Sequence, residues 1–145
     1  MKTRFEKIKF IIWFTIIYTV FLAFGLSLLG KFLLKIDEEV IKFLFGNIIN
    51  YNSFIFVSEC SGIVSISAYL AIVLGLIITK YKMSWKWIIG SIVILWAWNI
   101  IRILIVVISE KASFALAQIL HIVFWFITGI IIVLLAIKSL KKSKK

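Results

Sequence analysis

The chain has 145 residues, is 63% hydrophobic, contains no proline and has a mean hydropathy of +1.16. Soluble domains are about half apolar, so this composition excludes one and specifies an integral membrane protein. The net charge of +11 does not point to nucleic acid, because the basic residues bracket apolar runs and do not cover a soluble face.

No Gly/Ser-rich or Pro-rich linker divides the sequence, so residues 1–145 are expected to form a single membrane domain. The one cysteine rules out an intramolecular disulfide. The fold must therefore rest on helix packing.

The chain opens with Lys2, Arg4, Lys7 and Lys9 against Glu6, and then carries no charge from Phe10 to Gly30. About 20 apolar residues cross a bilayer, which makes 10–30 a first span. It is longer than the apolar region of a signal peptide and lacks a clear small-x-small site, so it is expected to be retained. Over residues 32–45 the pattern becomes amphipathic: Leu33, Ile36, Val40 and Leu44 recur at helical spacing, with Lys35, Asp37, Glu38, Glu39 and Lys42 between them. This predicts a helix lying in the interface plane, most of whose residues form a solvated connector with an apolar footing. Gly46, Asn47, Asn50, Tyr51, Asn52 and Ser53 end it, and Phe54 to Val57 leads back toward the membrane.

A second span is expected at 61–79, followed by a basic turn with Lys80, Lys82 and Lys86 beside the interfacial Trp85 and Trp87. The third, 87–108, is interrupted by Arg102. A polar turn at Ser109 to Ser113 then leads to the fourth, 115–137, with His121 near its start and a lysine-rich tail after it. Twelve Lys and Arg residues fall in the amino-terminal segment, the 80–86 turn and the tail. Only Lys31, Lys35, Lys42 and Lys111 fall in the other two connecting segments. Because positive residues mark the cytoplasm, the expected fold is all-α, with four transmembrane helices, both termini cytoplasmic and one extracytoplasmic amphipathic helix. The expected location is the cell membrane.

That topology puts Cys60, Arg102 and His121 in the same outer leaflet, with Arg102 about 10 Å below the turn. Taken singly, a cysteine in an apolar chain is usually a small packing residue, and a histidine near a helix start is usually an interfacial one. An arginine inside a span is different: at a helix centre it costs about 2.5–3.5 kcal/mol, unless it snorkels to the headgroups. Together the three have the makings of a cysteine acyl-transfer site. Cys60, at a helix start, is the candidate nucleophile. Arg102 would stabilise its thiolate or the oxyanion formed on attack, and His121 would pass protons. Asn99, one turn before Arg102, would hold a substrate carbonyl, orient Arg102, or serve as a helix-packing amide. Ser61 is a candidate helix cap or oxyanion donor. Trp98 and Trp125 lie one turn from Arg102 and His121, as packing residues or as rings lining the site. One His and one Cys are too few N/S ligands for zinc, so no metal is expected.

The stretch Glu59-Cys60-Ser61-Gly62-Ile63, followed by Ser65, resembles the nucleophile motif of the exosortase and archaeosortase transpeptidases. Asn99-Ile100-Ile101-Arg102 resembles their second motif, and His121 with Gly129 eight residues on is similar to the third. The resemblance covers roughly Val57 to Gly129, in the same order. It implies cleavage of exported proteins at a carboxy-terminal sorting signal through a thioester on Cys60, with Arg102 and His121 as its partners. It further implies transfer of the acyl chain to an acceptor such as a lipid, with no cofactor. The chain is shorter than many members, which carry additional amino-terminal helices, so acceptor recognition does not carry over. A competing reading is a non-enzymatic membrane subunit or assembly factor in which Arg102 pairs with an acid on a partner helix. A small transporter is disfavoured, since no second buried charge is expected along an inner path.

Overall fold

A computed structural model describes residues 4–45 and 62–140 of the chain. Among these residues the structure is helical, without strands. Helix α1 (Arg4–Phe24) passes through a π-helical segment, Gly25–Leu29, into α2 (Gly30–Phe45); α3 (Ile63–Ile78), α4 (Trp85–Ala112) and α5 (Phe114–Ser139) follow. Three stretches are long and apolar enough to cross a membrane: Phe5–Leu29, Trp85–Glu110 and Phe114–Ser139. Helix α3 is apolar but has 16 residues, about 24 Å at 1.5 Å each, less than the roughly 30 Å of a hydrocarbon core.

The helices alternate in direction. Phe10 packs against Gly75, where an added Cβ would stand 3.0 Å from its ring, and Gly25 packs against Ile63, so α1 and α3 are antiparallel. Thr79 closes α3 by bonding its hydroxyl back to the carbonyls of Gly75 and Leu76, both at 3.0 Å. Lys80 then adopts a left-handed conformation (φ 67°) that turns the chain toward α4. Helices α4 and α5 form a second antiparallel pair. The Ser84 N–H donates to the Ser139 carbonyl at 2.8 Å and Trp98 Nε1 donates to Thr128 Oγ1 at 2.9 Å. The basic 80–86 turn, the start of α1 and the end of α5 thus share one end of the bundle, where Lys138 lies over the Trp87 ring at 5.3 Å.

The polar turn expected at Ser109 to Ser113 contracts to Ser113 alone. Ser109 stays helical by donating its hydroxyl to the Ile105 carbonyl at 2.7 Å, and Glu110 and Lys111 continue the last turn. Only Ser113 is extended, at φ −166° and ψ 130°, and its N–H closes on the Ser109 carbonyl. Polarity alone did not end this helix, because a charged residue in a terminal turn can still make its backbone bond.

The main core gathers Tyr69, Val73, Met83, Ile88, Leu95, Ile132, Leu135 and Ala136 from α3, the turn, α4 and α5. A second cluster, Ile41 with Ile100, Ile103 and Val107, fastens α2 to α4. The amphipathic segment is helical, continuous with the helix before it, but Asp37 is not on a solvated face. Asp37 is 1% exposed and Ile41 0% exposed. The reason is spacing: Leu33, Asp37 and Ile41 are four apart and lie along one stripe. Glu39 and Lys42 do face outward, as a 3.1 Å ion pair.

Tyr69 and Ser139 are both fully buried, 2.6 Å apart between their hydroxyl oxygens. Ser139 gives its proton to the Leu135 carbonyl at 2.8 Å, so Tyr69 is the donor. Tyr69→Phe is expected to lower the unfolding free energy in detergent by about 1 kcal/mol, the scale of a buried hydrogen bond between apolar helices. Thermal unfolding of the purified chain checks this.

Candidate functional site

One face of α4 carries Asn99 and Arg102 a turn apart, 2% and 3% exposed. Burial of a guanidinium among apolar helices needs compensation, and α5 supplies part of it. Arg102 Cζ lies 5.0 Å from the centroid of the Trp125 ring, within the range of a cation–π contact. The indole N–H of Trp125 in turn donates to His121 Nε2 at 3.0 Å, and the two rings meet edge-on at 6.3 Å. Indole nitrogen is only a donor, so Nε2 is the acceptor and the neutral imidazole carries its proton on Nδ1. Arg102 and His121 thus meet through Trp125. Of the two indoles considered from sequence, Trp125 joins them. Trp98 instead packs edge-on against Phe124 at 5.7 Å and bonds Thr128.

Because α4 continues to Ala112, Arg102 lies about 15 Å from the helix end, deeper than the 10 Å expected. His121, eight residues beyond Ser113, lies about 12 Å from the same turn. The two still match in depth because both helices lengthen about the same reversal.

On the other side of Arg102, Asn99 meets two further elements. Its Nδ2 donates to Asp37 Oδ2 on α2 at 3.4 Å, and Trp96 Nε1 donates to Asp37 Oδ1 at 2.7 Å. Gly62, the residue before α3, adopts φ +74°, and a Cβ there would stand 3.1 Å from Asn99 Cβ and Cγ and 3.2 Å from Nδ2. Only glycine allows both this left-handed backbone and this approach. Cys60 and Ser61 lie outside the described residues. Cys60 is two residues from Gly62, at most about 7 Å of chain. Gly129 has open space where a side chain would be and does not join the group. Among the described residues no His, Cys, Asp and Glu cluster is suited to a metal ion.

Asp37 is the participant that sequence reasoning missed. Burial pushes its carboxyl up from 3.8 to about 6, against the hydrogen bonds from Trp96 and Asn99, which lower it. The available signal was its place four residues from both Leu33 and Ile41, but a carboxylate in an amphipathic segment is ordinarily assigned to the wet face.

Two stability effects follow. Gly62→Ala is expected to cost about 1–2 kcal/mol from the left-handed backbone alone, more with the contact on Asn99; thermal unfolding measures it. For Asp37, the folded chain binds the carboxyl proton more tightly than the unfolded chain. Its contribution is therefore complete below about pH 4 and fades as the pH rises through about 6, by about 3 kcal/mol. Asp37→Asn should accordingly unfold at a higher temperature than the wild type at pH 7.5, with the advantage gone at pH 4. Paired melts at the two pH values test the sign.

Comparison of the chain with protein-family models, with curated proteins and with solved structures returns no match, so a functional reading must stand on the residues and their geometry.

Proposed function

We propose that this chain is a membrane-embedded cysteine transpeptidase, of the kind its exosortase- and archaeosortase-like motifs imply, acting on exported proteins held by a carboxy-terminal membrane anchor. The observation that carries the reading is the meeting of Arg102 with His121 through Trp125, one helical turn from the Asn99 on which Gly62 is seated. Four chain crossings with both termini in the cytoplasm accord with the alternating helices and with the shared basic end. On this reading the candidate site belongs to the extracytoplasmic half of the cell membrane.

In this mechanism the Cys60 thiol gives its proton to the neutral His121 imidazole, and the thiolate attacks the carbonyl carbon of a peptide bond near the sorting signal. Arg102 and Asn99 hold the oxyanion that forms. The C–N bond then breaks, the amine leaves with a proton supplied by the His121 imidazolium, and the acyl group remains on sulfur as a thioester. An acceptor nucleophile, such as a lipid head group, gives its proton to His121 and attacks the thioester, releasing the thiolate. The assembly-factor reading is weaker, since Arg102 is already buried within its own chain against Trp125.

Cys60→Ala, Arg102→Lys and His121→Ala, each expressed beside carboxy-terminally anchored reporter proteins, test the mechanism by mass-shifted processing. Cys60→Ala is expected to abolish processing, and the other two to slow it by about 100-fold or more. Unchanged processing by Cys60→Ala at normal abundance would sink the proposal.

A further inference from the structure

Trp125 touches both Arg102 and His121, and it does so from the outside of the bundle. The indole is 36% exposed, whereas Arg102 beneath it is 3% exposed, so the ring lies between the guanidinium and the surroundings of the helices. Its N–H ends on His121 Nε2 at 3.0 Å. A neutral imidazole has a single ring nitrogen free to take a proton, and with Nδ1 protonated that atom is Nε2. Trp125 therefore already occupies the one atom through which His121 could act as a base. The Trp98 indole on the facing helix differs. It donates to Thr128 Oγ1, in a residue 2% exposed, and the Thr128 hydroxyl passes its own proton to the Phe124 carbonyl at 2.7 Å. That bond is built into the packing of α4 on α5. The Trp125 bond instead joins two residues a turn apart on one helix, at the bundle surface, so breaking it moves no helix.

We infer that Trp125 is a latch on the Arg102–His121 pair: its N–H holds the proton-accepting atom of His121 and its ring covers the guanidinium, so the pair stays closed until the indole turns away. For its part in the reaction the latch rests on the transpeptidase reading, in which His121 must first take a proton. A substrate held by its own membrane anchor reaches α5 through the lipid, on the side where the indole is exposed. Turning the ring requires only a change of side-chain rotamer. The latched fraction lowers the rate of the whole population, because only molecules with the indole turned away are competent.

The chain has one histidine, so His121 can be read directly in the full chain in lipid nanodiscs. The probe is diethyl pyrocarbonate at pH 8, above the usual imidazole pKa of about 6.5. The free ring nitrogen attacks a carbonyl carbon of the reagent, ethyl carbonate leaves and breaks down to ethanol and carbon dioxide, and the ring keeps an ethoxycarbonyl group that mass spectrometry of the His121 peptide counts. Trp125→Phe keeps a ring beside Arg102 and removes the N–H. It is expected to react about 3- to 10-fold faster than wild type, the range set by one net hydrogen bond. Trp98→Phe, which removes a donor between the same two helices, is expected to change the rate less than about 3-fold. Solid-state 15N spectra of the histidine-labelled wild type should show Nδ1 protonated and Nε2 unprotonated, with Trp125→Phe admitting the proton to Nε2. Processing of an anchored reporter by Trp125→Phe should rise by a similar factor. A proton found on Nε2 in the wild type would overturn the latch without any variant. So would a Trp125→Phe rate within about 3-fold of wild type, an equal gain in Trp98→Phe, or reporter processing that does not rise. Processing undiminished in Cys60→Ala would instead overturn the transpeptidase reading, and the part of the latch in it, with the two His121 readouts unaffected.

Discussion

The arrangement depends on one constraint: α4 brings a guanidinium and an amide into an apolar bundle on adjacent turns, and neither group can be left there without partners. Each neighbouring element is placed where it answers that demand. Helix α5 lays the Trp125 ring on Arg102, α2 brings a carboxylate to Asn99, and the chain entering α3 closes on Asn99 with the one residue type that has no side chain. The hydrophobic clusters hold helices together, but with lipid on the outside they discriminate poorly between one register and another. The polar partners do discriminate. A slide of one turn along α4 would trade the Asp37 bonds for apolar neighbours.

Much of this was legible in the sequence where it rests on cost. A bilayer penalises charge so heavily that Arg102 stands out within an apolar run, and the lengths of the apolar runs give the helical architecture. His121 was legible through its depth, which follows from counting residues from a turn. What was not legible depended on rotation and on helix ends. Asp37 has the same residue type as a solvent-facing acid, and only the azimuth of α2 about its axis decides between the two. Ser109, Glu110 and Lys111 look like a loop by polarity, yet a serine that bonds back to its own helix satisfies the same chemistry without ending it.

The neighbourhood also gives up stability. The carboxyl of Asp37 prefers its proton in this setting, so near neutral pH the fold holds a charge that its surroundings resist. An apolar residue on that stripe would pack more favourably with Ile41. The buried Asp37 carboxyl is a local inconsistency of the kind that marks functional sites more often than structural ones.

The π-helical segment at Gly25–Leu29 fits one residue more into a turn than the α-helix on either side. One residue corresponds to about 100° of rotation around a helix axis. Helix α1 can therefore keep Phe10 and Gly25 against α3 while α2, continuing the same rod, swings its Leu33–Asp37–Ile41 stripe toward α4. The extra residue acts as a phase correction between two packing surfaces that share a single uninterrupted backbone. Deleting one residue within it would leave both helices intact and rotate the carboxylate out of the bundle.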